Sequence, residues 1–287
     1  MLTAALVRSA VLADRRQLSD LLSLEARMHR HLDWRHPLDW LGSPFYWTLG
    51  EGAQISAALA CPPEAPHQFW IRWFAVANSW DPQQAWERVW QTAREAIVRA
   101  GGGRAAAIVI QPWFQSALAA SGFENLQAIV TLERERQPQA RREARRVRIR
   151  AMQAADLPAV ARIDSDAFEP LWQNSQETLR AAFSQALIAS TAEEDGRMVG
   201  YQISTGADGR AHLARLAVCP GAQRRGVASG LLEDLIARLN EYGASKLSVN
   251  TQSDNFSSLH LYQKFGFRRM GAEYPVYAWD APRQSAL

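Results

Sequence analysis

The chain has 287 residues, room for one large domain or two of ordinary size, and 47% hydrophobic with 21% charged residues describes a globular protein with ample core. No apolar run approaches membrane-spanning length, Leu2 to Leu12 is interrupted by Arg8 and Ser9 without a credible cleavage site, and Cys61 and Cys219 can form no disulfide framework and have no metal-ligand spacing. The net charge of +3 is mild and nearly all arginine, Lys246 and Lys264 being the only lysines, so neither membrane nor nucleic acid is expected as a partner and a cytoplasmic location is.

In chain order, a short strand and a helix over 14–31 are followed by two β-like runs and a central strand, Ile71-Arg72-Trp73-Phe74-Ala75-Val76. The same order returns with a helix over 156–168, two β-like runs and Leu213-Ala214-Arg215-Leu216-Ala217-Val218. Val76 and Val218 lie 142 residues apart, and Ser121-Gly122-Phe123 parallels Phe265-Gly266-Phe267 at nearly that offset. This internal repeat predicts an α/β (α+β) protein of two tandem copies, each a mostly antiparallel mixed sheet flanked by helices. The expected partition is 1–133, a basic linker over 134–146 broken by Pro138, and 147–287. The linker could touch RNA, but its interspersed glutamates fit a solvated connector equally well.

Nine of eleven tryptophans lie in the first half, among them Trp86 and Trp90, spaced to share a helical face. They read as core and packing face, with an aromatic wall for a substrate as the alternative. In the second half, Cys219-Pro220-Gly221-Ala222-Gln223-Arg224-Arg225-Gly226-Val227-Ala228 follows a strand-like stretch and opens a helix with an apolar stripe of Val227, Leu231, Leu232, Leu235, Ile236 and Leu239. A strand, a Gly- and Arg-bearing turn and a helix start suit an anion, through backbone N–H groups and the positive end of the helix dipole. An ordinary connection with solvent-facing arginines is the alternative. The first half has Ala77-Asn78-Ser79-Trp80-Asp81-Pro82 here, without glycine or arginine.

The spacing Gln223-x-x-Gly226-x-Ala228 resembles the pyrophosphate-binding signature of the GNAT superfamily of acyl-CoA-dependent N-acyltransferases. Leu216-Ala217-Val218-x-Pro220 is similar to that family's central strand, and Asn255-Phe256-Ser257-Ser258-Leu259-His260-Leu261-Tyr262-Gln263-Lys264-Phe265-Gly266-Phe267 to its second signature; the matches run from about Val147 to Trp279. The resemblance implies a tandem protein with a degenerate first copy, which has Leu118 where the second has Tyr262, and a catalytic second copy similar to ribosomal-protein N-terminal acetyltransferases.

The resemblance further implies that Gln223, Arg224, Arg225, Gly226, Val227, Ala228 and Ser229 hold the pyrophosphate of acetyl-CoA, the backbone of Leu216, Ala217 and Val218 pairs with its pantetheine arm, and Asn255 caps a helix and touches the cofactor. Tyr262 would be the general acid for the leaving thiolate and His212 the candidate base. Asn250 stands where the ribosomal-protein enzymes resemble one another in carrying a Glu; it cannot be a base but can order a water, and Glu273 and Tyr274 near the last hairpin are held in reserve. Phe168 and Trp172 belong to a segment that resembles the substrate-entry loop of N-terminal acetyltransferases. The implied reaction is direct attack by a primary amine, on a protein N-terminus or a small molecule, in a ternary complex without a metal. A small-molecule acetyltransferase of mycothiol-synthase type and a non-catalytic acyl-CoA-binding module are the alternatives. A monomer that pairs its own halves is expected.

Overall fold

The computed structural model describes residues 5–24, 27–136 and 147–281. The first series of elements is β1 (Leu6–Ser9), α1 (Arg15–Leu24), β2 (Arg27–Arg30), β3 (Tyr46–Glu51), β4 (Gln54–Ala60), β5 (Pro63–Ala65), β6 (Gln68–Trp70), β7 (Trp73–Val76), α2 (Pro82–Arg99), β8 (Arg104–Ile108), α3 (Pro112–Ala120) and β9 (Glu124–Glu135). The second is β10 (Arg148–Ala151), α4 (Leu157–Ala167), α5 (Gln176–Ser184), β11 (Ile188–Glu194), β12 (Arg197–Ala207), β13 (Arg210–Val218), α6 (Val227–Glu241), β14 (Lys246–Gln252), α7 (Phe256–Lys264) and β15 (Arg268–Asp280).

The repeat is physical as well as sequential. Arg8 makes a two-pronged ion pair with Asp14, both contacts 2.7 Å, and Asp14 also accepts the Val11 N–H, which fixes the turn into α1. Arg150, Asp156 and Gln153 repeat this 142 residues later at the start of α4. Parallel pairing repeats as well: β6 aligns Gln68 with Arg104 on β8, and β13 aligns Arg210 with Lys246 on β14.

The compact units do not follow the expected linear partition. One comprises residues 1–127 with 274–287, the other 128–273. Each takes a strand from beyond its own half: 129–135 of β9 pair antiparallel with β14, and 276–280 of β15 pair antiparallel with β8. Val130 and Leu132 enter the apolar core of the second unit with Leu235 and Val249, while Tyr277 enters that of the first. The charged run misled the boundary because its beginning is strand. Glu133 pairs with Lys246 at 2.6 Å and Arg134 Nε donates to the Phe265 carbonyl at 2.8 Å. Residues 137–146, the rest of the expected linker, lie outside the described residues.

In the first unit one sheet runs β1-β3-β4-β7-β2. Its tryptophans are packing groups: Trp73 and Trp86 are fully buried, and Trp86 stacks on Trp90 with ring centroids 5.5 Å apart. The helix expected over 14–31 stops at Leu24, and residues 27–30 instead form β2 along the edge of β7, pairing Arg27 with Val76 and Arg30 with Trp73. The N–H and C=O groups of that edge need partners, and this tertiary demand outweighs local helix preference. Asp81, at the N-terminus of α2, accepts the Gln84 N–H at 2.9 Å, so the helix start that an anion would approach already carries a carboxylate. In the second unit the order is β10-β11-β12-β13-β14-β9.

Val130 and Leu132 each bring about 1.5–3 kcal/mol of burial to the second unit. A fragment of residues 147–273, which lacks them and the β9 ladder, is expected to show no cooperative urea transition by circular dichroism. A fragment beginning at residue 124 should recover one; cooperative unfolding of the shorter piece would contradict this strand assignment.

Candidate active site

The site is built where β13 parts from β14. Their parallel pairing ends at Leu213 with Val249, whereas β13 continues to Val218, paired among the described residues with β12 alone. Leu216, Ala217 and Val218 therefore present one strand edge that β14 does not cover. In the first unit the corresponding edge of β7 is the one that β2 fills.

At the end of β13 the chain turns into α6. Gln223 Nε2 donates to the Val218 carbonyl at 3.3 Å, bracing the turn against the strand it leaves. Arg224 (φ 61°) and Gly226 (φ 86°) are both left-handed, a conformation that costs a non-glycine residue. Gly226 is also the N-cap of α6, and as a glycine it has no side chain of its own to cap the helix. The start of α6 thus has no side chain at its N-cap, the opposite of Asp81 on α2. Buried Val227 ties the helix start to Val218 and Leu231, and Gly200 permits the approach: a Cβ there would meet Ala217 O at 2.9 Å and Val227 Cγ1 at 3.2 Å. Arg225 pairs with Glu194 at 2.8 Å, so its charge is partly spent within the protein, while Arg224 is exposed and Ala228 and Ser229 are half-buried in the first turn of α6.

A row of polar side chains crosses the face of the sheet opposite α6. His212 Nδ1 lies 2.9 Å from Ser248 Oγ, and Ser248 Oγ lies 3.4 Å from the Ala211 carbonyl. With the serine proton directed to that carbonyl, Nδ1–H donates to Oγ and Nε2 carries the lone pair. Burial pushes the His212 imidazole below its ordinary value of 6.5. Asn250 Oδ1 accepts from Thr131 Oγ1 at 2.9 Å. Asn255 caps α7, its Oδ1 accepting the Ser258 N–H at 3.1 Å. Tyr262 is 5% exposed, packs 5.5 Å from the Phe267 ring and shares the core with Leu213 and Val249. Burial raises its hydroxyl well above 10, so it is protonated at neutral pH. Glu273 and Tyr274 lie within the continuous strand β15 rather than at a hairpin.

Phe168 and Trp172 are gathered by residues the sequence reading passed over. A bulge between Ile203 and Ser204, whose partners are Arg215 and Leu213, leaves Ala214 as the extra residue of β13. Leu213 faces the α6 core, so the bulge is what sends Arg215 to the α4 side. There Arg215 forks onto Asp164 at 2.7 and 2.8 Å, donates to the Trp172 carbonyl at 2.6 Å and places its guanidinium 3.5 Å from the centre of the Phe168 ring. Tyr201 Oη donates to the same carboxylate, which also accepts the Asn174 N–H at 2.7 Å. One signal was available: Arg215 is the sole charge in the apolar run Leu213 to Val218. Among the described residues no group of three or more His, Cys, Asp or Glu is placed to hold a metal, and no helix is long and apolar enough to cross a membrane.

The fold and this strand–turn–helix site define an acyltransferase. Residues 157–267 match the model of the Acetyltransferase (GNAT) family. The chain is 30% identical over 139 residues to the [Ribosomal protein bS18]-alanine N-acetyltransferase of Salmonella typhimurium, covering 48% of this chain and 93% of that one. Two solved structures share the fold along nearly all of both chains. A GCN5-related N-acetyltransferase from Sphaerobacter thermophilus has a TM-score of 0.64 at 14% identity, covering 99% of this chain and 98% of its own. A tandem GNAT protein from the clavulanic acid biosynthesis pathway has a TM-score of 0.61 at 15% identity, covering 98% and 99%. The chain belongs to the GNAT family and is built as a tandem of two GNAT-like domains.

His212 is expected to titrate below 6.5 when followed by NMR of the imidazole protons, because desolvation disfavours its charged form. Its depressed value adds stability that is complete above the unfolded-state pKa and fades as pH falls from there toward the folded one. A midpoint at or above 6.5 would contradict the half-buried, neutral imidazole.

Proposed function

We propose that the second unit transfers an acetyl group from acetyl-CoA to a primary amine by direct attack in a ternary complex. The observation that carries this reading is the combination, at one end of β13, of a strand edge that β14 does not cover and a tight turn into α6 through left-handed Gly226. The edge of Leu216, Ala217 and Val218 suits an amide-bearing arm, and the turn from Gln223 to Ser229 suits its pyrophosphate. In the transfer, a bond forms between the amine nitrogen and the acyl carbon while the carbon–sulfur bond breaks. His212 Nε2 takes the proton that the amine loses, and Tyr262 supplies one to the departing thiolate. A tyrosine protonated at neutral pH and an imidazole neutral there hold the protonation states these roles require. Asn250, already bonded to Thr131, orders the acceptor or a water rather than acting as a base.

A protein N-terminal amine is the favoured acceptor. Support comes from the likeness, over 93% of its length, to an enzyme named for acetylating the alanine of a ribosomal protein. Labelled acetyl-CoA supplied to cell extract should mark the macromolecular fraction; label confined to small molecules would replace this acceptor with a metabolite amine. No transfer despite cofactor binding would favour the non-catalytic module. We expect Tyr262→Phe to lower kcat by about 100-fold, within the usual range for a general acid, with acetyl-CoA affinity unchanged. A matching loss of affinity would make Tyr262 a packing residue only. Gly226→Val places a β-branched residue at φ 86° and should abolish acetyl-CoA binding in calorimetry. Retained binding would remove the turn from the cofactor site.

A further inference from the structure

The two units treat one segment in opposite ways. In the first, residues 27–30 lie along the edge of β7 as β2. By the 142-residue offset their counterparts are Glu169, Pro170, Leu171 and Trp172, which form a short helical turn. The side chains beneath the segment differ in the same measure. Arg215 pairs with Ile203 as Trp73 pairs with Ala60, Tyr201 with Ala217 as Ala58 with Ala75, and Asp164 has Leu22 at its place on the helix. Leu22, Ala58 and Trp73 belong to one apolar cluster. The fold is therefore satisfied by apolar packing at these three positions, and a buried charged group is not needed to hold α4 to the sheet.

We propose that Asp164, Tyr201 and Arg215 form a positioning clamp that pins residues 168–174 off the open edge of β13, keeping the acyl-CoA groove free. The clamp reaches the segment at three points: Arg215 on the Trp172 carbonyl, Arg215 over the Phe168 ring, and Asp164 on the Asn174 N–H. Asp164 is wholly buried and the Arg215 side chain is 12% exposed, so these contacts are made with little competition from water. Where the clamp is absent, in the first unit, the corresponding segment occupies the edge itself and satisfies its hydrogen bonds. The clamp thereby decides whether this strand edge is filled from within the chain or left for substrate, and it fixes Phe168 and Trp172 in the process.

The inference rests on the acyl-CoA reading for the meaning of the groove, but its test does not. The triple replacement Asp164→Leu, Tyr201→Ala, Arg215→Trp installs in the full chain the residues of the first unit and removes all the buried charge together. It should melt cooperatively, bind acetyl-CoA at least tenfold more weakly than wild type, and show slower amide hydrogen exchange at residues 214–218 as the released segment pairs with the edge. A purely structural role gives the opposite sign, faster exchange there. Unchanged or faster exchange in a folded variant would overturn the clamp. If the triple variant does not fold, Arg215→Lys serves instead: it retains the charge beside Asp164 but cannot fork onto the carboxylate, reach Trp172 and cover Phe168 at once. Its 214–218 amides should then also exchange more slowly, with the melting temperature near that of wild type, and unchanged or faster exchange would overturn the clamp. Wild-type protein that binds no acetyl-CoA would count against the acyl-CoA reading, while the exchange result would still decide the clamp.

Discussion

Two parallel strands that begin side by side need not stay so, and the function proposed for this chain depends on where they separate. Up to Leu213 and Val249 the second unit holds β13 and β14 together; beyond that, one edge of β13 faces no strand among the described residues. A polypeptide edge in that state must find water, another segment or a ligand. In the first unit the parallel contact of β6 and β8 ends at the equivalent place, with the Ile71 N–H on the Ala106 carbonyl, and the freed edge of β7 is closed by β2. The same constraint has been met once by the chain and once by leaving the strand edge open.

The electrostatics follow the same division. At the start of α2, Asp81 supplies a carboxylate to the N-terminal N–H groups and so neutralises the positive end of that helix. At the start of α6 the cap is Gly226, with no side chain to offer and a backbone conformation that brings the turn tightly onto the helix. One helix start carries a carboxylate of its own and the other carries none at its cap. Opposite α6, the neutral His212, its serine partner and Asn250 make a polar row, and Glu133, the cross-strand neighbour of Ser248, brings a carboxylate to the same face, where Lys246 pairs with it.

Much of this was legible in sequence because local rules govern it. The 142-residue repeat, the strand–turn–helix around Gly226 and the cap at Asn255 all depend on neighbours in the chain. What escaped was non-local. Alternation in Val130-Thr131-Leu132-Glu133 tells which residues face a core but not whose core it is, so the exchange of β9 and β15 could not be read. Arg27-Met28-His29-Arg30 continues a helical pattern acceptably and becomes a strand only because β7 stands open beside it. The Asp164–Arg215 pair spans 51 residues and depends on a bulge at Ala214, a displacement invisible in composition.

The central claim concerns two strand edges: β7 is closed by β2, and β13 beyond Leu213 is not closed by β14. Isothermal titration calorimetry of the full chain with acetyl-CoA tests this most directly. One molecule bound per chain is the expected result; two would mean that β2 and Asp81 do not close the first unit, and none would mean that the edge of β13 beyond β14 and the Gly226 turn into α6 do not make an acyl-CoA site.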